Sequence, residues 1–146
     1  YLISYADSEY KKFASALQKT LVEICFAMLK DGDGSAKTFV CEARGAKSKR
    51  VARAVAKSIV SARIFQRDGW QTDDFICAIL GAGEPLGLDR AEISLSSPNA
   101  SVTLMTDGKA IAFSATSVSE ILSCAEITLR IHLNDGNYGA TAFGRI

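Results

Sequence analysis

A short loop rich in glycine and aspartate, residues 31–37 (DGDGSAK), is the first part of the chain whose residue types could bind a ligand. Glycine lets the backbone approach a bound molecule closely, and the short carboxylate of Asp33 could face a polar group there. A calcium loop would need further oxygen ligands and a terminal glutamate, and a P-loop would need GxxxxGK followed by Ser or Thr. Local chemistry alone leaves a helix end followed by a turn as the alternative to a binding loop.

A second group of possible ligand contacts combines three carboxylates with one aromatic ring, at Asp68, Trp70, Asp73 and Asp74. These side chains could line a cleft. Asp73 and Asp74 would equally favour the positive end of a helix that begins beside them. The sequence leaves both interpretations open.

The single histidine and the four cysteines carry weaker signals. His132 alternates with apolar residues of a predicted strand, so we expect it to face solvent or a partner surface rather than to act as a catalytic base. The cysteines are widely spaced, which disfavours a zinc site and a disulfide framework. We predict that all four are small buried apolar residues in a reducing compartment: Cys25, Cys41, Cys77 and Cys124.

Charge and hydropathy exclude two classes of partner. The chain has 17 basic and 16 acidic residues, so no global field recruits nucleic acid or an anionic membrane. The most apolar stretch, residues 75–83, is far shorter than the roughly 20 residues that span a bilayer. One predicted helix has a basic face without interleaved aromatic residues, which is typical of a solvated surface; its members are Lys47, Lys49, Arg50, Arg53 and Lys57. We expect a cytoplasmic protein.

Hydrophobic periodicity predicts the helices that position these residues. Apolar side chains three and four apart predict a long helix from Ser8, preceded by the end of a strand at residues 1–5. After a turn at Gly45 and Ala46, a second stripe predicts another helix; the stripe consists of Val51, Ala52, Val55, Ala56 and Ile59. Residues 72–80 are predicted as a short buried helix, with a strand as the alternative, and residues 117–123 as a helical turn.

Alternating and β-branched residues predict strands at residues 37–44, 92–96, 101–105, 109–113, 126–133 and 138–143. Asp107-Gly108 and Asp135-Gly136 are two-residue hairpin signals between consecutive strands. In the strand at 126–133 the inward residues should be Ile127, Leu129, Ile131 and Leu133. Early helices followed by hairpin-linked strands predict one α+β domain over residues 1–146, a mainly antiparallel mixed sheet packed with two to three amphipathic helices.

Five motifs in order resemble the ornithine acetyltransferase (glutamate N-acetyltransferase) family of arginine biosynthesis. The string DGDGSAK followed by TFVCEARGA resembles the family's DGEGATK loop and the strand ending in GA. AKSIVS at 56–61 is similar to its AK.IA.S pattern, and residues 63–81 (RIFQRDGWQTDDFICAILG) to its AIFG.D.NWGRILAA.G run. Residues 127–142 (ITLRIHLNDGNYGATA) resemble its I.I.VDL..G...A.A strand pair. The resemblance covers most of the chain.

The resemblance implies that this is the later part of a C-terminal (beta) chain. Members cleave themselves autocatalytically, and a new N-terminal threonine takes an acetyl group from N-acetylornithine and passes it to glutamate. This implies a hetero-oligomer with a second chain of the same precursor, a higher assembly, a small amino-acid substrate, and no cofactor or metal. It also implies that Asp33, Gly34 and Lys37 belong to the substrate site, and that this chain contains no catalytic residue.

One departure from the family keeps a second function open. The family's glutamate in DGEG is replaced here by Asp33, which is shorter by one methylene. Because acyl transfer tolerates little misplacement, the alternative is a catalytically inactive relative that acts as a binding or assembly module. An unrelated α+β domain is the third interpretation.

Overall fold

A computed structural model describes residues 2–31 and 37–146 of the chain. It divides into two compact units, Tyr1–Gly34 and Ser35–Ile146. The prediction of a single domain stays a prediction, and each unit is described by itself. The elements in chain order are α1 (Leu2–Lys30), β1 (Thr38–Ala46), α2 (Lys49–Ala62), a 3-10 turn (Ile64–Gln66), α3 (Thr72–Leu80), β2 (Glu92–Ser96), β3 (Ser101–Thr106), β4 (Lys109–Ala110), α4 (Ala115–Ser123), β5 (Glu126–His132) and β6 (Tyr138–Arg145).

The first unit contains one helix of 29 residues, α1, as the apolar spacing predicts. The strand predicted over residues 1–5 is wrong, because residues 2–5 are helical; residue 1 lies outside the described residues. The carbonyls of the first residues of a helix accept hydrogen bonds from N–H groups four residues later in the same segment, whereas a strand needs a neighbour. One exposed ion pair stabilises the helix: Lys11 Nζ lies 2.9 Å from the Asp7 carboxylate one turn away.

The second unit is built on a six-stranded mixed sheet with the order β4-β3-β2-β5-β1-β6. β1 runs parallel to β5 and every other neighbouring pair is antiparallel. The predicted α+β class is therefore confirmed, with four α-helices in the described part of the chain instead of two or three. The predicted hairpin at Asp107-Gly108 joins β3 to β4, although β4 covers only the first two of residues 109–113.

The hairpin predicted at Asp135-Gly136 is wrong. β5 and β6 do not pair with each other, because β1 lies between them and bonds to both. The connecting loop is instead held to the end of β1: the backbone N–H of Asp135 donates to the carbonyl of Gly45 at 2.8 Å. A turn signal in the sequence reports local backbone geometry and carries no information about a strand that arrives from far along the chain.

The hydrophobic core lies on one face of the sheet, where α2, α3 and α4 contribute to the same buried cluster. The five residues predicted as the stripe of α2 are its buried residues, and the four predicted inward residues at 127–133 are all buried. Ser48 caps α2, and its hydroxyl accepts from the N–H of Val51 at 3.3 Å. The opposite face of β1 and β5 carries polar and half-exposed side chains, because successive residues of a strand alternate between faces.

Candidate functional site

Lys37, predicted from the family resemblance as a substrate-site residue, immediately precedes β1, and hydrogen bonds hold this point to three other parts of the chain. Its carbonyl accepts from the N–H of Ile146 at 3.1 Å, and the next N–H, of Thr38, donates to Ala125 at 2.9 Å. Its side-chain amine donates to the carbonyl of Leu122 in the last turn of α4. A cation is favourable there because the carbonyl end of a helix carries partial negative charge.

The other two predicted substrate-site residues, Asp33 and Gly34, lie outside the described residues, so their role stays a prediction. Lys37 fixes where the chain leaves this loop. An ammonium group has three N–H donors, and Leu122 uses one of them. Lys37 can therefore hold its position and still contact a ligand.

Trp70 lies at the centre of an aromatic cluster that joins the loop before α3 to the segment between β4 and α4. Its ring centroid is 5.4 Å from those of Phe65 and Phe75, both edge-on, and it stacks on Phe113 at 5.8 Å. Phe65 in turn contacts Phe39 of β1 at 5.0 Å. Such contacts fix the position of the indole ring beyond what burial alone would achieve.

A cavity of about 650 Å³ opens beside this cluster. It is lined by Gly69, Trp70, Gln71, Thr72, Asp73, Ala110, Ile111, Ala112, Phe113, Ala115 and Val118. The acidic segment was predicted either to line a cleft or to stabilise the start of a helix, and each prediction is correct for different residues. Trp70 and Asp73 line the cleft, whereas Asp74 caps α3 by accepting from the N–H of Gln71 at 2.7 Å. Asp68 is not among the lining residues.

The sequence prediction missed the second wall of this cavity. Residues 109–113 were predicted as a strand, but β4 ends at Ala110. The N–H of Ile111 still donates to the carbonyl of Leu104 at 2.9 Å, and the chain then passes through Phe113 into α4. Ser114 was the available signal, since a serine before a helical segment is a common N-cap. Its hydroxyl accepts from the N–H of Ser117 at 3.4 Å.

His132 lies on β5, which is separated from β4 at the cavity by β2 and β3. Its side chain is on the face of β5 opposite the core. It is half-buried, pairs in register with Arg44, and its Nδ1 is buried without a hydrogen-bond partner in the described part of the molecule. Gly45 and Ala46, predicted as a turn, belong to β1 and form an irregularity in its pairing with β6. Gly45 has φ +67°, and a Cβ there would lie 2.8 Å from His132 Cε1.

Charged side chains near His132 pair with each other. One carboxylate oxygen of Glu42 accepts from Arg44 at 2.8 Å and from Arg130 at 3.0 Å. Both arginines remain about half exposed, so these are ordinary solvent-screened pairs.

Two of the five basic residues predicted on the face of α2 and the segment before it form ion pairs. Arg50 contacts Glu84 at 2.7 Å, and Lys47 lies 3.4 Å from Asp135. This agrees with the predicted solvated surface.

The cysteine prediction is correct for only one of the four residues. Cys41 is buried in β1, and burial, followed by the nearby charge of Glu42, raises the pKa of its thiol to about 12. Cys25 and Cys77 are exposed and Cys124 is partly exposed, because each lies at a helix position or end that the core does not cover. All four are free thiols.

Across residues 2–31 and 37–146, no three His, Cys, Asp or Glu side chains form a group that could hold a metal ion, and no helix is long and apolar enough to cross a membrane.

Comparison with known proteins identifies similar chains. Residues 3–145 match the model of the ArgJ family. The chain is 29% identical over 147 residues to Arginine biosynthesis bifunctional protein ArgJ 1 of Clostridium acetobutylicum, covering 98% of this chain and 36% of that protein. It is 33% identical over 129 residues to Arginine biosynthesis bifunctional protein ArgJ of Desulfotalea psychrophila, covering 85% of this chain and 32% of that protein.

A crystal structure has a similar fold. Arginine biosynthesis bifunctional protein ArgJ from Bacillus halodurans superposes with a TM-score of 0.75 at 24% identity, covering 91% of this chain and 63% of that one. The chain therefore spans about a third of the length of the curated relatives it matches.

Proposed function

Because the chain belongs to the ArgJ family, we propose that it is the later part of an acetyltransferase that moves an acetyl group from N-acetylornithine to glutamate in arginine biosynthesis. The observation that carries this proposal is the family match across residues 3–145. In this reaction the threonine nucleophile, which lies outside these 146 residues, forms an acetyl-enzyme intermediate. The reaction requires no cofactor, and we place it in the cytoplasm.

The contribution of this chain is part of the amino-acid substrate site. We assign substrate contacts to Asp33 and Gly34 and to the remaining donors of Lys37. Hydrogen bonds from Lys37 to α4 and from Ile146 to Lys37 hold the end of the loop. Acyl transfer depends on holding the reactants within a fraction of an ångström, so a loop with a fixed end suits this role.

The exposed apolar face of α1 supports a second chain of the same precursor as the partner. Six residues spaced alternately four and three apart lie on that face: Tyr10, Ala14, Leu17, Leu21, Ile24 and Met28. Tyr10 and Met28 are about 70% exposed, and Leu21 is 51% exposed. Contiguous apolar surface of this kind is typical of an interaction site. The rest of the precursor, about two thirds of the length of the relatives, would cover it.

One observation favours a second function. Asp33 replaces the family's glutamate, and a carboxylate drawn back by one methylene would sit outside the tolerance of acyl transfer. The alternative is a catalytically inactive relative in which α1 and the sheet serve as a binding or assembly module.

Acetyl transfer from N-acetylornithine to glutamate by the complete natively expressed protein separates the two functions. An active enzyme should lose about 100-fold or more of this activity on Asp33→Ala, because a substrate-site charge is removed, and little on Asp31→Ala, the neighbouring control. Native mass spectrometry of the same preparation should show a second polypeptide from the precursor. A co-purifying partner without measurable transfer would establish the assembly module and overturn the enzyme.

A further inference from the structure

Two helices begin at the cavity beside Trp70. Thr72 and Asp73 open α3, Ala115 opens α4, and all three residues line the cavity. The first N–H groups of a helix have no partner within it and carry partial positive charge, so both helix starts favour a negatively charged group.

The hydroxyl of Thr72 is the second sign of a ligand. Thr72 is only 5% exposed, yet it lines the cavity, and its side chain makes no hydrogen bond to any described residue. The hydroxyl oxygen itself is not fully buried, so it can hydrogen-bond to a molecule in the cavity that Thr72 lines. A polar atom of a ligand in the cavity would supply the missing partner.

The charges around the cavity differ between its two helices. The carboxylate of Asp73 is exposed on α3 and makes no ion pair or hydrogen bond within the described residues. α4 has no acidic residue in its first turn, although Lys37 complements its other end. The cavity thus combines the start of α4, which Ser114 caps but no carboxylate balances, with the unpaired carboxylate of Asp73. These two groups are the complements of a carboxylate and an ammonium group in one small molecule.

The rest of the wall is apolar. Trp70, Phe113 and Val118 line it together with Ile111, which remains 40% exposed and so has apolar surface left to cover. A volume of about 650 Å³ lies in the range of small-molecule sites, which are mostly apolar with a few placed polar groups.

We propose that this cavity binds a free α-amino acid with an apolar side chain. Its carboxylate takes hydrogen bonds from the start of α4 and from the Thr72 hydroxyl, its ammonium group pairs with Asp73, and its side chain packs on Trp70 and Ile111. This site is separate from the proposed transfer site, because Lys37 lies at the opposite end of α4, about 13 Å away at 1.5 Å per residue. The proposed amino-acid site beside Trp70 does not depend on the acetyl-transfer proposal.

Trp70 is the only tryptophan of the chain, so its fluorescence reports on this cavity directly. We expect titration with L-leucine to change the fluorescence in a saturable way. 4-Methylpentanoate, which lacks the ammonium group, and isopentylamine, which lacks the carboxylate, should each bind about tenfold or more weakly, since each loses one charge-assisted contact. L-Glutamate should also bind at least tenfold more weakly, because its side-chain carboxylate would face the apolar wall.

Two variants test the assigned contacts. Asp73→Asn, at an exposed position, should weaken L-leucine binding about tenfold, and Thr72→Val, which keeps the shape of the side chain, about fivefold. Asp68→Asn and Thr103→Val are matched controls outside the cavity and should bind as the wild type does. The proposal is overturned if L-leucine causes no saturable change, if either analogue binds as tightly as L-leucine, or if Asp73→Asn leaves binding unchanged.

Discussion

The side-chain amine of Lys37 donates a hydrogen bond to the main-chain carbonyl of Leu122, 85 residues later in the chain. This contact joins the first residue before β1 to the last turn of α4, and it places a cation at the negative end of that helix. The predicted substrate loop therefore ends at a residue fixed by hydrogen bonds within the second unit. The start of α4, at the other end of the same helix, opens into the cavity beside Trp70.

Replacing Lys37 by methionine should destabilise the protein. Lys37→Met keeps most of the aliphatic length but removes a part-buried, charge-assisted hydrogen bond, so we expect the free energy of unfolding to fall by about 1–2 kcal/mol. Urea unfolding followed by circular dichroism measures this. Lys57→Met on α2 is the control and should change it by less than about 0.5 kcal/mol. Equal effects would show that the Leu122 contact contributes nothing specific.

Gly45→Ala should be strongly destabilising. Gly45 has a positive φ, and the added Cβ would lie 2.9 Å from the backbone nitrogen of Asn134 as well as against the ring of His132. Positive φ alone costs about 1–2 kcal/mol for alanine, and the two close contacts should raise the loss to about 3 kcal/mol or more.

Gly83→Ala separates backbone strain from crowding. Gly83 also has positive φ, but nothing lies within 4 Å of an added Cβ. Thermal unfolding should show a loss of only about 1–2 kcal/mol for this variant. If the two alanine variants were equally stable, the packing of Gly45 against His132 would not matter to the fold.

The thiols should react in the order of their exposure. Cys25 and Cys77 are exposed, so an aromatic disulfide reagent near neutral pH should modify them within minutes, whereas Cys41 should react only after unfolding. Mass spectrometry of peptides from the labelled protein identifies each site. Rapid labelling of Cys41 in the folded protein would contradict its burial in β1.

The raised pKa of Cys41 also predicts a pH dependence of stability. The folded thiol stays protonated to about pH 12, while the unfolded thiol loses its proton near pH 9.0. The contribution of this group is therefore fully present below pH 9 and falls as pH rises through the interval between these two pKa values. The difference in unfolding free energy between wild type and Cys41→Ala should shrink over that interval. A constant difference would argue against the raised pKa.

The apolar face of α1 should be required for assembly with the second chain. Leu17→Glu places a charge in the middle of this face and should greatly reduce the amount of the second polypeptide that co-purifies. Ser15→Glu adds the same charge to the exposed opposite side of the helix and should leave co-purification unchanged. Native mass spectrometry of both variants gives the ratio of the two chains, and equal ratios would remove α1 from the interface.

Local patterns were sufficient for most helices and strands. The spacing that predicts α3 gives its observed bounds, Thr72–Leu80, and the strand predicted at residues 92–96 is β2. The stripe of α2 needed no tertiary information either, since its five apolar residues repeat at helical spacing. Residues 2–5 misled the prediction because a short run of β-formers at a helix start is equally compatible with a strand.

The candidate sites could be predicted only in part. Trp70 and Asp73 were recognised as possible cleft residues, and Lys37 by its resemblance to a family motif, because these signals lie in contiguous sequence. The contact of Lys37 with Leu122 was not predictable, since no local pattern links residues so far apart. The exposure of Cys25 and Cys77 was also missed, because apolar neighbours in sequence do not show which face of a helix meets the core.

The sequence by itself determined where most helices and strands form, which side chains of α2 and β5 point inward, and the family to which the chain is similar, because each is written in spacing or in contiguous motifs. Only the tertiary structure decided that β1 enters between β5 and β6, and that α3 and α4 begin at one cavity. Both depend on contacts between distant segments, where the burial of side chains from several elements selects one arrangement among many that satisfy the same local preferences.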